Sequence, residues 1–165
     1  MNKIKILGVT GIRSDYDLMS EVFKTISKSS RFNFKLFVTG AHLSKQYGYT
    51  FKQIKKDKIK IADISESLLD SDTLSSRVKC LSIQMQDLIQ CVNSFNPKIL
   101  MVLGDREEAI NGALVGNYLN KIVVHIGGGD RVIGNIDDQV RHAVTKLAHL
   151  HYTTNIDSKR RLIKM

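Results

Sequence analysis

The chain has 165 residues, 42% of them hydrophobic and 25% charged, with a formal net charge of +9, one proline, two cysteines and no tryptophan. That length sets a single domain with a self-sufficient core, and the composition excludes wholesale disorder. No apolar run approaches the ~18 residues of a membrane span, the opening Met1-Asn2-Lys3-Ile4-Lys5 is not expected to begin a secretory signal, and two cysteines build neither a disulfide framework nor a CxxC motif; the expectation is a cytoplasmic chain with no membrane partner.

In chain order, Lys3 to Thr10 alternates and then turns apolar, which predicts a buried parallel strand closed by a turn at Gly11. Leu18, Val22, Phe23 and Ile26 predict the apolar face of a helix whose start Asp15 and Asp17 cap and favour. A second strand is predicted over Phe34–Val38, closed by Thr39-Gly40. The stretch from His42 to Lys60 reads as irregular and basic, and Ile59-Lys60-Ile61 as a short third strand. Six lysines between Lys45 and Lys60 surround one acid, Asp57. They form a solvated face, or a positive field for a small anionic substrate. Scarce arginine and modest aromatic interleaving disfavour nucleic acid.

From Asp72 the period lengthens. Leu74, Val78, Leu81, Met85, Leu88, Val92 and Phe95 step by three and four, predicting a long amphipathic helix that Asn96-Pro97 ends. Cys80 and Cys91 lie beside that stripe as small core residues. A continuous apolar strand over Ile99–Leu103 closes at Gly104. A helix over Glu107–Leu119, a strand over Lys121–His125, a glycine loop over Gly127–Gly129 and a helix from Ile136 to Ala148 follow. His149–Thr153 reads as a last strand, with His149 and His151 structural, and Asp157–Met165 as the start of another helix. The alternation predicts an α/β fold: a doubly wound, mostly parallel Rossmann-like sheet.

Ligands of such sheets bind beyond the carboxyl ends of the strands, so the loops there matter most. Gly8 and Gly11 lack the GxGxxG spacing, and no GxxxxGK[ST] occurs. Arg13, just before a helix start, either holds a phosphate or pairs with Asp15 or Asp17. Asp105 after an apolar strand either faces the cleft or caps the next helix. The triple glycine permits close approach to a ligand, or only a tight turn. Asp137 with Arg141, and Asp138 with His142, stand at i,i+4 as helix salt bridges or as parts of an acid–base site.

Together these loops resemble the hydrolysing UDP-N-acetylglucosamine 2-epimerases of sialic- and legionaminic-acid pathways. Thr10-Gly11-Ile12-Arg13-Ser14-Asp15-Tyr16 is similar to the family's TGTRAD[YF], Gly40-Ala41-His42-Leu43-Ser44 with Tyr47-Gly48 to its G-x-HLS…[FY]G, and Leu103-Gly104-Asp105-Arg106 to LGDR. The longest match runs from His125 to Tyr152, within which Gly134 to His151 is similar to G-x-IDDSIRHAITKLAHLH. The resemblance implies the N-terminal half of a glycosyltransferase-B-like enzyme that removes the C2 proton of a UDP-2-acetamido sugar, expels UDP and adds water with inversion. It implies Asp105 and Asp137 as acid–base carboxylates and Arg13 as a phosphate contact, with no metal or redox cofactor. Asp15, His42, Arg106, His125, Arg141 and His142 would complete the substrate site. Where many members carry Glu or His, this chain has Gly127, and Asp130 stands as the substitute acid–base group. At less than half the family's usual length, residues 1–165 are expected to form one domain of little activity alone, lacking the C-terminal domain. The alternative is a non-catalytic binding or assembly module, joining itself or a separately made C-terminal half.

Overall fold

The first strand, β1 (Ile4–Thr10), sends Ile6 to one face and Leu7 and Val9 to the other, as a two-residue period requires. The computed structural model describes residues 3–165; Met1 and Asn2 of the opening segment lie outside the described residues. Helix α1 (Arg13–Lys28) returns to β2 (Phe32–Thr39), followed by a single 3-10 turn at Gly40–Leu43, a short helix α2 (Phe51–Lys56) and β3 (Ile61–Ser65). The long helix α3 (Leu74–Phe95) then crosses to β4 (Ile99–Leu103). The chain continues through α4 (Glu107–Tyr118), β5 (Ile122–Ile126), α5 (Ile136–Leu147), β6 (Leu150–Tyr152) and α6 (Ile156–Ile163).

The six strands form one sheet in the order β3-β2-β1-β4-β5-β6, with every neighbouring pair parallel. It is the doubly wound sheet the alternation predicted. Helices cover both faces. On one, α3, α4 and α5 bury Leu88, Val92, Ala113 and Val144 against Leu7, Phe37, Leu100, Val102 and Val123. On the other, α1 and α2 bury Tyr16, Phe23 and Ile54 against Ile6, Leu36, Val38, Met101 and Val124. Alternate side chains of β4 and β5 serve the two cores, which explains their uninterrupted apolar sequences.

Several expectations are corrected. In α1 the buried face is Tyr16, Met19 and Phe23, while Leu18 is 75% exposed and Val22 is also exposed. At ~100° per residue, Tyr16, Met19, Phe23 and Ile26 span a narrower arc than Leu18, Val22, Phe23 and Ile26, so they make the tighter core stripe. Neither Asp15 nor Asp17 caps α1; its N-cap position is Ile12, without a side-chain bond. The basic stretch after His42 is not wholly irregular, since α2 buries Phe51 and Ile54 and leaves Lys52, Lys55 and Lys56 exposed. The third strand begins at Ile61 rather than Ile59. In α3 the stripe holds at Leu88, Val92 and Phe95, but Leu74 and Val78 are exposed. Asn96 ends α3 in the left-handed conformation ahead of Pro97.

Candidate functional site

The strand order reverses at β1, whose neighbours are β2 and β4, so the loops after β1 and β4 diverge and open a crevice. The β4 loop turns at Gly104, with φ of +72°, and places Asp105 and Arg106 before α4. Asp105 is not the helix cap; that position is Arg106, without a side-chain bond. Instead the Asp105 carboxylate forms an ion pair with Arg141 of α5.

Arg141 is a nearly buried hub. Its second terminal nitrogen donates to the Gly127 carbonyl at 3.1 Å and to Asp130 Oδ2 at 3.4 Å. It thereby joins the loops after β4 and β5 to α5. The expected i,i+4 pair with Asp137 does not form, because two carboxylates and a carbonyl from other elements surround the guanidinium more completely. Asp137 instead accepts a bond from Asn135 Nδ2 at 2.9 Å in the first turn of α5. The second expected pair is loose: His142 Nδ1 lies 4.0 Å from Asp138 Oδ1 and donates to the Asp138 carbonyl at 2.7 Å. Asp138 chiefly accepts from Val132 N at 2.9 Å, which holds its carboxyl below the usual range.

Asp15, in the first turn of α1, reaches the same crevice. Burial pushes its carboxyl up to about 6; Arg106 opposes that shift and the negative charge of Asp105 adds to it. A group so placed changes protonation near neutral pH. Arg13 beside it is exposed and lies 3.7 Å from Asp17, so of the two pairings Asp17 is the one formed. At that exposure the pair is weak and leaves the guanidinium free to turn.

Asp130 accepts from Thr154 Oγ1 at 2.7 Å, Asn155 Nδ2 at 3.4 Å and the Ser158 hydroxyl. Burial alone would raise its carboxyl, but bonds from Ser158 and Thr154 and the charges of Arg141 and Arg161 hold it below the ordinary value. It is a fixed anion binding the glycine loop to α6. Arg161 completes that attachment by donating to the Gly129 carbonyl at 2.7 Å, and a Cβ on Gly129 would overlap Ser158. Gly127 has φ of +75°, and a Cβ there would meet Arg141 Nη1 at 3.8 Å in ordinary contact, so its backbone conformation rather than crowding favours glycine.

His42 and His125 do not reach the crevice. His42 is fully buried, with Nε2 2.9 Å from Thr10 Oγ1 and Nδ1 2.7 Å from Thr50 Oγ1. His125 is also fully buried; its Nε2 donates to the Gly104 carbonyl at 2.8 Å, and Thr145 Oγ1 lies 3.3 Å from Nδ1. Burial lowers both to about 4, so they stay neutral and brace the loops that carry the site. A Cβ on Gly128 would stand 2.9 Å from His125 Nδ1, which explains the middle glycine.

The structure therefore gathers Asp15, Asp105, Arg106 and Arg141 at the crevice and ties Asp130 to them. It leaves Asp137 and His142 on the adjoining start of α5 and withdraws His42 and His125 into the body. It also adds a residue that the sequence reading did not select. Glu108, one residue inside α4, lies beneath the loops after β1 and β2 and borders a groove of about 360 Å³. Its helical position gave no signal; only the fold brings Gly11 and Gly40 against it.

A family profile described as UDP-N-acetylglucosamine 2-epimerase matches residues 24–165. The chain belongs to that family. A UDP-N,N'-diacetylbacillosamine 2-epimerase (hydrolyzing) from Legionella pneumophila is 39% identical over 161 residues, covering 98% of this chain and 42% of the relative. A GDP/UDP-N,N'-diacetylbacillosamine 2-epimerase (hydrolyzing) from Campylobacter jejuni is 32% identical over 165 residues, covering 100% and 43%. The chain thus spans about two-fifths of these relatives. The crystal structure of UDP-GlcNAc 2-epimerase from Neisseria meningitidis bound to UDP-GlcNAc superposes with a TM-score of 0.85 at 21% identity, over 98% of this chain and 43% of that one. The 2-epimerase fold is therefore shared across the whole described chain.

Proposed function

We propose that this chain is the N-terminal domain of a hydrolysing 2-epimerase acting on a UDP-2-acetamido sugar, releasing UDP and the C2-inverted free sugar. The observation that carries this reading is the Asp105–Arg141 pair at the reversal of strand order, beside Asp15, whose carboxyl burial pushes up to about 6. Removing a C2 proton needs a carboxylate base, and expelling UDP needs positive groups on the leaving diphosphate. Asp105 and Asp137 supply the carboxylates of that scheme, and Asp15 adds a group able to hold a proton near neutral pH. Arg13, exposed at the first turn of α1, turns to the diphosphate, while Arg106 and Arg141 balance charge around the carboxylates. Asp130 keeps the glycine loop in place rather than moving protons, since its oxygens are occupied by donors. His42 and His125 act through the loops they brace, and His142 sits on α5 beside the entrance. That the two relatives are N,N'-diacetylbacillosamine 2-epimerases supports an acylamino sugar nucleotide as substrate.

The test is UDP release from UDP-N-acetylglucosamine, by the chain alone and with the remaining part of a relative supplied. Release is expected to be slight alone, substantial with the second part, and abolished by Asp105→Asn. No release in the complemented reaction overturns the reading. A second reading, a binding module without catalysis, is favoured by the Asp105 carboxylate already being neutralised by Arg141; it predicts nucleotide-sugar binding with no release in either reaction.

A further inference from the structure

Glu108 is only 7% exposed, its side chain is directed away from α4 toward the loops after β1 and β2, and it borders the groove. A Cβ on Gly11 would overlap its carboxylate, and one on Gly40 would stand 3.2 Å from Oε1, so both loops carry glycine where the carboxylate enters. Yet Oε2 has no hydrogen-bond partner. Arg106 Nε stands 3.6 Å away, beyond hydrogen-bond reach, and is likewise unpartnered. Enclosing a carboxylate with an unspent acceptor works against folding, and departures of this kind concentrate at ligand sites.

The surroundings select the ligand group. Arg106 at 3.6 Å, with Arg77 in the same groove, already supplies positive charge to this carboxylate, so what its unspent oxygen lacks is a hydrogen-bond donor, and an uncharged N–H or O–H serves without adding charge. The adjoining groove is walled by Ile12, Leu68, Leu69, Leu74 and Leu81, which suits a small apolar substituent next to that donor. An acylamino group supplies both: an amide N–H and, three bonds away, a methyl.

We propose that Glu108 is a specificity-determining contact whose Oε2 accepts a hydrogen bond from the acylamino N–H of the substrate's sugar, with the acyl methyl seated among Ile12, Leu68 and Leu69. This rests on the acetamido-sugar reading above. It goes further by naming the residue that distinguishes such a sugar from one bearing hydroxyls alone.

The test compares UDP-N-acetylglucosamine, UDP-glucose and UDP by NMR titration of the full chain, while following the Glu108 carboxyl carbon. At pH 8, where the Glu108 carboxyl is ionised, the wild type is expected to prefer UDP-N-acetylglucosamine over UDP-glucose by about tenfold, a scale set by one hydrogen bond to a charged acceptor. The Glu108 carbon is expected to shift with the acetamido sugar only. Glu108→Leu should abolish the preference and leave UDP affinity unchanged, while Glu108→Gln, which keeps an oxygen acceptor, should retain part of it and melt no lower than wild type. A preference that survives in Glu108→Leu, or a carboxyl carbon unmoved by the acetamido sugar, overturns the proposal even if the variants fold poorly. Equal binding of all three ligands overturns it while leaving nucleotide recognition intact. Binding of none overturns the acetamido-sugar reading and this inference together.

Discussion

Arg141 joins Asp105, Asp130 and the Gly127 carbonyl, so a single side chain decides whether two post-strand loops keep their places. Arg141→Ala leaves the partly buried Asp105 carboxylate without its cation, while Asp130 keeps its hydroxyl donors and Arg161, and should cost about 3 kcal/mol, read as a lower urea midpoint. Arg141→Lys should recover little of that loss, because an ammonium cannot serve several acceptors in a planar fork. Glu108 acts in the opposite sense. Its folded carboxyl is pushed up to about 7 from 4.5, chiefly by burial, and Asp15 up to about 6 from 3.8. The protonated forms are therefore the ones the fold favours. Stability is highest below the unfolded values and falls as pH rises through the folded ones, by about 3 kcal/mol for Glu108. His42 and His125, lowered to about 4, work the other way and add stability as pH rises toward 6.5. The Glu108 contribution is therefore read as the difference between wild type and Glu108→Gln in chemical denaturation between pH 5 and 8, the variant gaining on wild type as pH rises. Of this residue-level detail, the sequence disclosed the identities of Asp105 and Arg141 but not their partnership. The i,i+4 spacing pointed to Asp137, and a tertiary contact outweighed it.

At the scale of elements, α1 separates intrinsic apolarity from burial. Phe23 packs against Phe34 with ring centroids 5.2 Å apart, whereas Leu18 faces solvent. Phe23→Ala should cost about 3–5 kcal/mol and Leu18→Ala less than about 0.5 kcal/mol, as measured by thermal unfolding. Tyr16 joins the buried face because its hydroxyl donates to Asp57 Oδ2 at 2.8 Å, so a polar tip finds a partner while the ring fills the core. Counting aliphatic residues alone misplaces such a face. The strands were easier to read. Ile99–Leu103 is apolar throughout and closed by glycine, and the structure gives β4 those same bounds. His42 and His125 were legible as motif residues but not as braces. Their depth depends on Thr10, Thr50 and Thr145, each distant in sequence or on another element.

Across the whole molecule, the alternation of strand and helix was enough to foretell a parallel sheet, while strand order and the position of the crevice came only from pairing. The post-strand loops sit on one side of that sheet because its strands are all parallel, so the groups suited to chemistry gather at one end. No helix among the described residues is long and apolar enough to cross a membrane. Folding and the site nevertheless have different borders. The last strand described is β6, but Asp130 is secured beyond it by Thr154, Asn155 and Ser158, and Gly129 by Arg161. A version of the chain ending at Tyr152 is expected to keep amide-exchange protection in the central strands and lose it around residues 127–131, with the Arg141 contacts loosened in turn. The shortest piece that still fixes Asp130 and the glycine loop is therefore one helix longer than the shortest piece that includes β6, and α6, a helix outside the strand ladder, sets the rigidity of a loop about thirty residues before it.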